Sequence, residues 1–167
     1  MEFKEIQPYD LSQNVFEQIG KKWMLIMAEK DGAVNAMTAS WGALGVIWGK
    51  NVAFVFIRPQ RYTKEFVDSA DCFSLSFLNE SYREHLNYFG KVSGRDEDKI
   101  AKSGLSIAKT DGVAYFAESE TVIICRKMLA QPLDPECFIL PAEIGKNYSA
   151  KDYHTIYIGE ILKVLEK

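Results

Sequence analysis

The tightest constraint on the fold of this chain is a succession of short apolar runs, each stopped by turn-forming residues before a long helix could grow. Trp23-Met-Leu-Ile-Met-Ala28 is followed by Asp31-Gly32, a pair that tolerates positive φ and marks a hairpin, so Ala33 to Trp41 is expected to be the returning strand. Val52-Ala-Phe-Val-Phe-Ile57 lies between Asn51 and Pro59. In Cys72-Phe-Ser-Leu-Ser-Phe-Leu78 the pattern alternates, which puts Phe73, Leu75 and Phe77 on one face and Ser74 and Ser76 on the other. Thr121 to Arg126 and Glu136 to Leu140 read as further strands, with Pro132 and Pro135 breaking the run between them. His154 to Leu162 has the strongest β-branched and aromatic enrichment.

Helical signals are few. Tyr62 to Ser69 follows Pro59. Ser81 to Phe89 opens on a candidate serine cap and stops at Gly90. Asp96 to Lys102 has an acidic first turn that suits the helix dipole, and Gly104 ends it. Many strands with no regular strand–helix alternation predict a mainly β fold, an antiparallel barrel and not a doubly wound sheet.

At 167 residues the chain fits one domain, and no linker, repeat or low-complexity tract divides 1–167. Its 47% hydrophobic and 13% aromatic content is ample for one sizeable core. A net charge of -3 without a long basic run argues against a nucleic-acid partner. The stretch Met1 to Glu5 is charged and lacks an apolar signal-peptide core, and no apolar run nears the ~18 residues of a membrane span. A cytoplasmic protein with no membrane partner is expected. Cys72, Cys125 and Cys137 show neither C-x-x-C nor His/Cys clustering, so no metal site is expected; Cys72 and Cys125 read as buried apolar residues and Cys137 as exposed.

Two blocks carry chemistry. Asn35-Ala-Met-Thr-Ala-Ser-Trp-Gly42 places the hydroxyls of Thr38 and Ser40 on alternate positions of a strand end. Arg58-Pro-Gln-Arg-Tyr-Thr-Lys64 places Arg58, Arg61, Thr63 and Lys64 where the chain turns into a helix, whose first N–H groups and dipole favour an anion. The pair suits a ligand that joins a phosphate to a flat ring. No G-x-G-x-x-G fingerprint is present, so a dinucleotide would bind only transiently.

These blocks, with Phe89-Gly-Lys-Val-Ser-Gly-Arg-Asp-Glu-Asp-Lys-Ile100 and His154-Thr-Ile-Tyr-Ile-Gly-Glu160, resemble the flavin reductase-like family, including the flavoredoxins, over about residues 15–165. The resemblance implies an antiparallel Greek-key split β-barrel of the FMN-binding type, working as a homodimer with FMN near the subunit interface. It implies that Asn35, Met37, Thr38, Ala39, Ser40 and Trp41 contact the flavin ring and ribityl chain. Arg58, Arg61, Tyr62, Thr63 and Lys64 would surround ribityl and phosphate, and Ser93, Gly94 and Lys99 would approach the ring. Read alone, Lys99 is expected to pair with an acid such as Asp96, and His85 to be a surface or capping histidine.

His154 is the candidate catalytic residue. Flavin reductases of this family often carry Gly-Asp-His here; this chain reads Lys151-Asp-Tyr-His154, with the glycine missing and a tyrosine inserted. A strand-start histidine with a structural hydrogen bond is the competing reading. The resemblance implies an NAD(P)H:flavin oxidoreductase, in which FMN takes hydride from NAD(P)H and passes electrons to free flavin, ferric complexes or a protein. The alternatives are a flavoredoxin-type electron-transfer protein served by a redox partner, with no nicotinamide site of its own, and a flavin-binding barrel without turnover.

Overall fold

The computed structural model describes residues 2–167; Met1, the first residue of the charged amino-terminal stretch, lies outside them. The strands are β1 (Lys4–Ile6), β2 (Met24–Lys30), β3 (Ala33–Ala39), β4 (Gly42–Ile47), β5 (Lys50–Ile57), β6 (Cys72–Phe77), β7 (Ile107–Thr110), β8 (Val113–Phe116), β9 (Thr121–Pro132) and β10 (Thr155–Glu166). The helices are α1 (Thr63–Ser69), α2 (Arg83–Lys91), α3 (Lys99–Ser103) and α4 (Ala142–Asn147), with a π-helical turn at Glu17–Lys22. No helix among the described residues is long and apolar enough to cross a membrane.

One antiparallel sheet runs β3-β2-β6-β9-β10-β5-β4, and β1 joins the far end of β10. Its two edges, β3 and β4, are consecutive in the chain and joined only by Ser40 and Trp41. The sheet therefore curls into a barrel split along one seam, mainly β as the spacing of apolar runs predicts. The Asp31-Gly32 turn forms as expected, with φ of 52° and 79°, and registers Lys30 against Ala33 through Met24 against Ala39.

Inside the barrel, Met24, Ile26, Val55, Ile57, Phe73, Leu75, Phe77, Ile123 and Tyr157 make the core. Burying each such side chain contributes roughly 1.5–3 kcal/mol. On the outer face of β2 and β3, Leu25, Met27 and Ala36 meet Leu86 and Phe89 of α2 and Ala114 and Phe116 of β8. Ser74 and Ser76 face this second layer, as alternation predicts. Ser74 donates to the Ala114 carbonyl at 2.6 Å and Ser76 accepts from the Phe116 N–H at 3.3 Å, so neither buried hydroxyl is unsatisfied.

β10 stays wrapped around the barrel through two register shifts against β9, at Ile158/Gly159 and Ile161/Lys163. Gly159 is required there: a Cβ would stand 2.7 Å from Phe73 Cζ and 2.8 Å from Cys125 Cβ.

Several expectations are corrected. Glu136 to Leu140 is not a strand. Pro135 lacks an N–H, Asp134 accepts from the Glu136 N–H at 2.9 Å, and the segment forms a 3-10 turn at Pro135–Cys137 followed by exposed Ile139 and Leu140. β9 instead continues through Arg126 to Pro132. Ser81 is not the cap of α2: it lies in a 3-10 turn at Glu80–Tyr82 that Asn79 caps by accepting from the Ser81 N–H at 2.8 Å, and α2 begins after it with no side-chain cap. α2 passes through Gly90 and ends at Lys91, and Cys72 is half-buried instead of buried.

Candidate functional site

The seam places a hollow of about 240 Å³ between the end of β3 and the strand ends beside it, lined by Met37, Thr38, Ala39, Ser40, Trp41, Phe56, Arg58, Arg61 and His154. β3 has a one-residue alternation, yet both its faces reach the hollow because the strand stops at Ala39 and the chain turns through the seam. Trp41, 44% exposed, forms one wall, and its ring stands 5.0 Å from the imidazole of His154. Phe56 meets His154 edge-on at 6.4 Å. The walls are therefore aromatic, and the polar groups gather at two places.

The first is Arg61. Its Nη1 donates to the Gly90 carbonyl at 2.6 Å and its Nη2 to the Phe89 carbonyl at 3.1 Å, at the end of α2. These contacts fix the guanidinium on the negative end of a helix without neutralising it. Among the described residues no carboxylate lies within ion-pair distance of Arg61. Burial lowers its pKa from the ordinary arginine value, yet the group is a cation at any physiological pH. A half-buried, positioned cation without a counter-charge is a site for an anion. Ser40, half-buried nearby, makes no side-chain hydrogen bond among the described residues, whereas Thr38 donates to the Leu86 carbonyl at 2.5 Å.

The second is His154, 7% exposed, at the foot of β10. Its Nδ1 is 2.9 Å from the hydroxyl of Tyr148, which caps α4. Burial, aided by Arg58, pushes its pKa down to about 4 against a small opposing pull from Asp152, so the ring is neutral at pH 7.

Arg58 lines the hollow but its charge is answered from within. Nη1 pairs with Asp152 Oδ2 at 2.5 Å, Nη2 donates to the Asn147 carbonyl at 3.0 Å, and the guanidinium lies 5.2 Å from the centre of the Tyr148 ring. Asp152 also accepts from Gln60 Nε2 at 2.8 Å. This arginine fastens the 147–152 loop to the site's rim.

The remaining expected residues lie elsewhere. Asn35 and Thr63 are buried and bonded to each other, Nδ2 to Oγ1 at 2.9 Å, tying β3 to the start of α1. Lys64 pairs with Asp68 at 2.7 Å, and Asp68 also accepts from Tyr157. The first N–H groups of α1 bond within the turn: Lys64 N–H to the Arg61 carbonyl and Glu65 N–H to that of Tyr62. Tyr62 stacks edge-on against Phe66 and carries Arg95 over its ring. Ser93 accepts from the Arg95 N–H. Gly94 lies so close to Asn35 and Tyr62 that a Cβ would reach 3.1 Å from Tyr62 Cδ1 and nearer still to Asn35 Oδ1.

Lys99 does not pair with Asp96. It is 3% exposed, and Nζ donates to the carbonyls of Val92 at 3.1 Å and Phe89 at 3.4 Å. Burial and the neighbouring Arg61 push its pKa down to about 8. Asn35, Tyr62, Gly94 and Lys99 together line a second hollow, of about 520 Å³. His85 is neither exposed nor a cap: it is half-buried beside the Tyr82 ring, with Nδ1 buried and unbonded.

Sequence reasoning missed Phe56 and Tyr148. Phe56 was legible as one of the outward alternates of a strand that otherwise faces the core. Tyr148 sits in a segment with no periodicity, so nothing in the sequence points to it.

The fold and the hollow together are those of a split antiparallel barrel whose seam joins aromatic walls to an arginine without a carboxylate partner among the described residues. The flavin reductase like domain matches residues 16–167, and the chain belongs to that family. No curated protein is similar to it in sequence. Among solved structures it is similar to a flavoredoxin from Methanosarcina acetivorans, at TM-score 0.67 and 21% identity over 87% of this chain and 68% of that one. It is likewise similar to the flavoredoxin of Desulfovibrio vulgaris (Miyazaki F), at 0.69 and 21% over 97% and 77%. An FMN-binding domain of a flavin reductases-like enzyme from Shewanella baltica OS155 gives 0.72 at 14% over 99% and 77%.

Proposed function

We propose that this protein binds FMN in the seam hollow and acts as an FMN-dependent oxidoreductase, taking hydride or electrons from NAD(P)H and delivering them to flavin, ferric or protein acceptors. The observation that carries the reading is Arg61: a positioned, half-buried cation without a carboxylate, beside a hollow walled by Trp41, Phe56 and His154. A flavin mononucleotide presents a phosphate for the cation and a planar ring for the walls. Bound there, flavin supplies hydride acceptance and one- or two-electron transfer, while the protein supplies placement and electrostatics. Arg61 holds the phosphate, Ser40 offers a free hydroxyl, and Trp41, Met37 and Ala39 bear on the flat part of the ligand. His154 touches it from the strand foot. Asn35, Thr63, Gly94 and Lys99 hold β3, α1 and the end of α2 in place around it.

The hollow is smaller than the roughly 300–1,000 Å³ of most small-molecule sites, so the ligand protrudes and needs a cover. The outer sheet face next to it carries half-buried Phe54, Phe56 and Ile156 and exposed Trp41. These features support a homodimer with the flavin near its interface.

A second reading, a flavoredoxin-type electron carrier without its own NAD(P)H site, is favoured by Asp152. The aspartate of the altered Lys-Asp-Tyr-His segment is held by Arg58 and Gln60, leaving it turned to the protein and not to a co-substrate. Anaerobic addition of NADH or NADPH to the FMN-loaded protein separates the two. Rapid bleaching of the yellow colour supports the reductase. Bleaching only by dithionite or a partner reductase supports the carrier. A colourless protein that FMN does not reconstitute refutes both.

A further inference from the structure

We infer that Tyr148 is a positioning residue that holds His154 in the tautomer with its hydrogen on Nε2, so that His154 presents an N–H donor to a carbonyl-type acceptor on the bound ligand. Tyr148 is 5% exposed and its hydroxyl meets His154 Nδ1 at 2.9 Å. Two arrangements of hydrogens fit that distance. If Nδ1 carried the hydrogen and donated to the tyrosine oxygen, the tyrosine O–H would need an acceptor of its own. Among the described residues His154 is its one hydrogen-bond partner. An unmade bond on a buried hydroxyl is costly. If Tyr148 donates to Nδ1, its hydrogen is satisfied and the imidazole hydrogen moves to Nε2. Nε2 makes no hydrogen bond to any described residue, and the side chain it belongs to lines the hollow.

Burial raises the pKa of Tyr148 and lowers that of His154, so both stay in the neutral forms this arrangement needs. Trp41 and Phe56 flank the imidazole and Tyr148 holds it from behind, which leaves the ring little freedom to flip. A donor fixed in this way selects an acceptor. On a flavin that acceptor is a ring carbonyl; on a nicotinamide it is the carboxamide oxygen. The ligand half of the inference rests on the flavin reading, whereas the tautomer half does not.

Two measurements test it. The chain has 2 histidines, so nitrogen-15 histidine labelling of a His85→Gln variant leaves His154 as the single imidazole signal. Nδ1 is expected at the shift of an unprotonated ring nitrogen and Nε2 at that of a protonated one, with the two moving toward their average in Tyr148→Phe. A wild-type spectrum with the hydrogen on Nδ1 overturns the tautomer. FMN titration and NAD(P)H kinetics of Tyr148→Phe then identify the acceptor. A several-fold weaker FMN Kd with a shifted visible spectrum assigns it to the flavin ring. An unchanged FMN Kd with a several-fold higher KM for the nicotinamide assigns it to the carboxamide. If neither moves, the ligand contact is refuted. If wild-type protein does not bind FMN at all, the ligand half falls with the proposed function, while the nitrogen shifts still decide the tautomer.

Discussion

The two hollows, whose cations Arg61 and Lys99 share the carbonyl of Phe89, differ in what their polar groups have left over. Arg61 reaches that carbonyl from the seam side and Lys99 from the other. In the larger hollow the main polar groups are bonded within the protein: Asn35 Nδ2 to Thr63 and Lys99 to two carbonyls, with Gly94 packed against Asn35 and Tyr62. In the smaller one a cation lacks a counter-charge, a serine hydroxyl lacks a partner and an imidazole has one nitrogen free. The two also differ in volume, about 520 Å³ against about 240 Å³. Unfilled bonding capacity marks the smaller one, because buried polar groups are normally satisfied. The comparison also separates the arginines, since Arg58 is answered by Asp152 and Arg61 is not.

The largest effect expected is at Arg61. Arg61→Ala removes a charged donor from the phosphate, worth roughly 1.5–3 kcal/mol, and FMN affinity in a fluorescence titration should drop at least about tenfold. Full occupancy on dilution would end the distinction between the hollows. Asn35→Ala is the mirror experiment. It leaves a buried Thr63 hydroxyl unbonded, so unfolding should become easier by about 1–3 kcal/mol. At this chain length that lowers Tm by roughly 2–4 °C per kcal/mol, while FMN affinity stays within about twofold.

Lys99 tests how far the two sides communicate. Its positive charge near Arg61 is present below about pH 8 and lost above it, so the attraction for a dianion weakens as pH rises through that value. Binding isotherms from pH 7 to 9 should show a several-fold loss of FMN affinity, and Lys99→Met should flatten it. A slope that survives the substitution would assign the titration to another group.

The last test concerns the acid dependence of stability. His154 has a folded pKa of about 4, below the ordinary 6.5, so between these values the unfolded chain binds the extra proton. Its contribution is complete above about pH 6.5 and is lost as pH falls toward 4. Carboxylates act in the same window, so the informative quantity is the difference from His154→Gln, whose urea midpoint should fall less steeply on acidification. Parallel curves would mean that His154 is not buried neutral.

The barrel was legible because its strands are short apolar runs closed off by turn residues and the hairpin turn at Asp31-Gly32 is chemically explicit. The same signal stood at Asp111-Gly112, which turns β7 into β8 with φ of 48° and 78°. β4 was hidden because an edge strand of Gly42, Ala43 and Gly45 has almost no apolar alternation to read. Within the candidate site, the blocks 35–42 and 58–64 contain Met37 to Trp41, Arg58 and Arg61, which line the hollow, but do not show how the residues divide their contacts. Sequence spacing put Arg58 and Arg61, or Thr38 and Thr63, on equal terms. Their roles part only through partners brought from afar, Asp152 for Arg58 and Asn35 for Thr63. The loop from 133 to 153, which supplies Tyr148, follows no period at all, and its place is set by Arg58 gripping Asn147 and Asp152.

β10 is the strand on which the sheet closes, for it pairs with β9, with β5 and, farther along, with β1. Each of those partners lies far away along the chain or across a long loop. During synthesis, β2, β3 and β6 can pair early, but β5 has no inner neighbour until residues 155–160 have emerged, and β1 none until residues 164–166 have. Contacts of such long sequence separation form slowly. His154 and Phe56 face each other only after that step, so the pocket is among the last parts of the molecule to mature. A nascent chain halted before Thr155 should expose the apolar edge of β5 to chaperones and should have no way to retain a flavin.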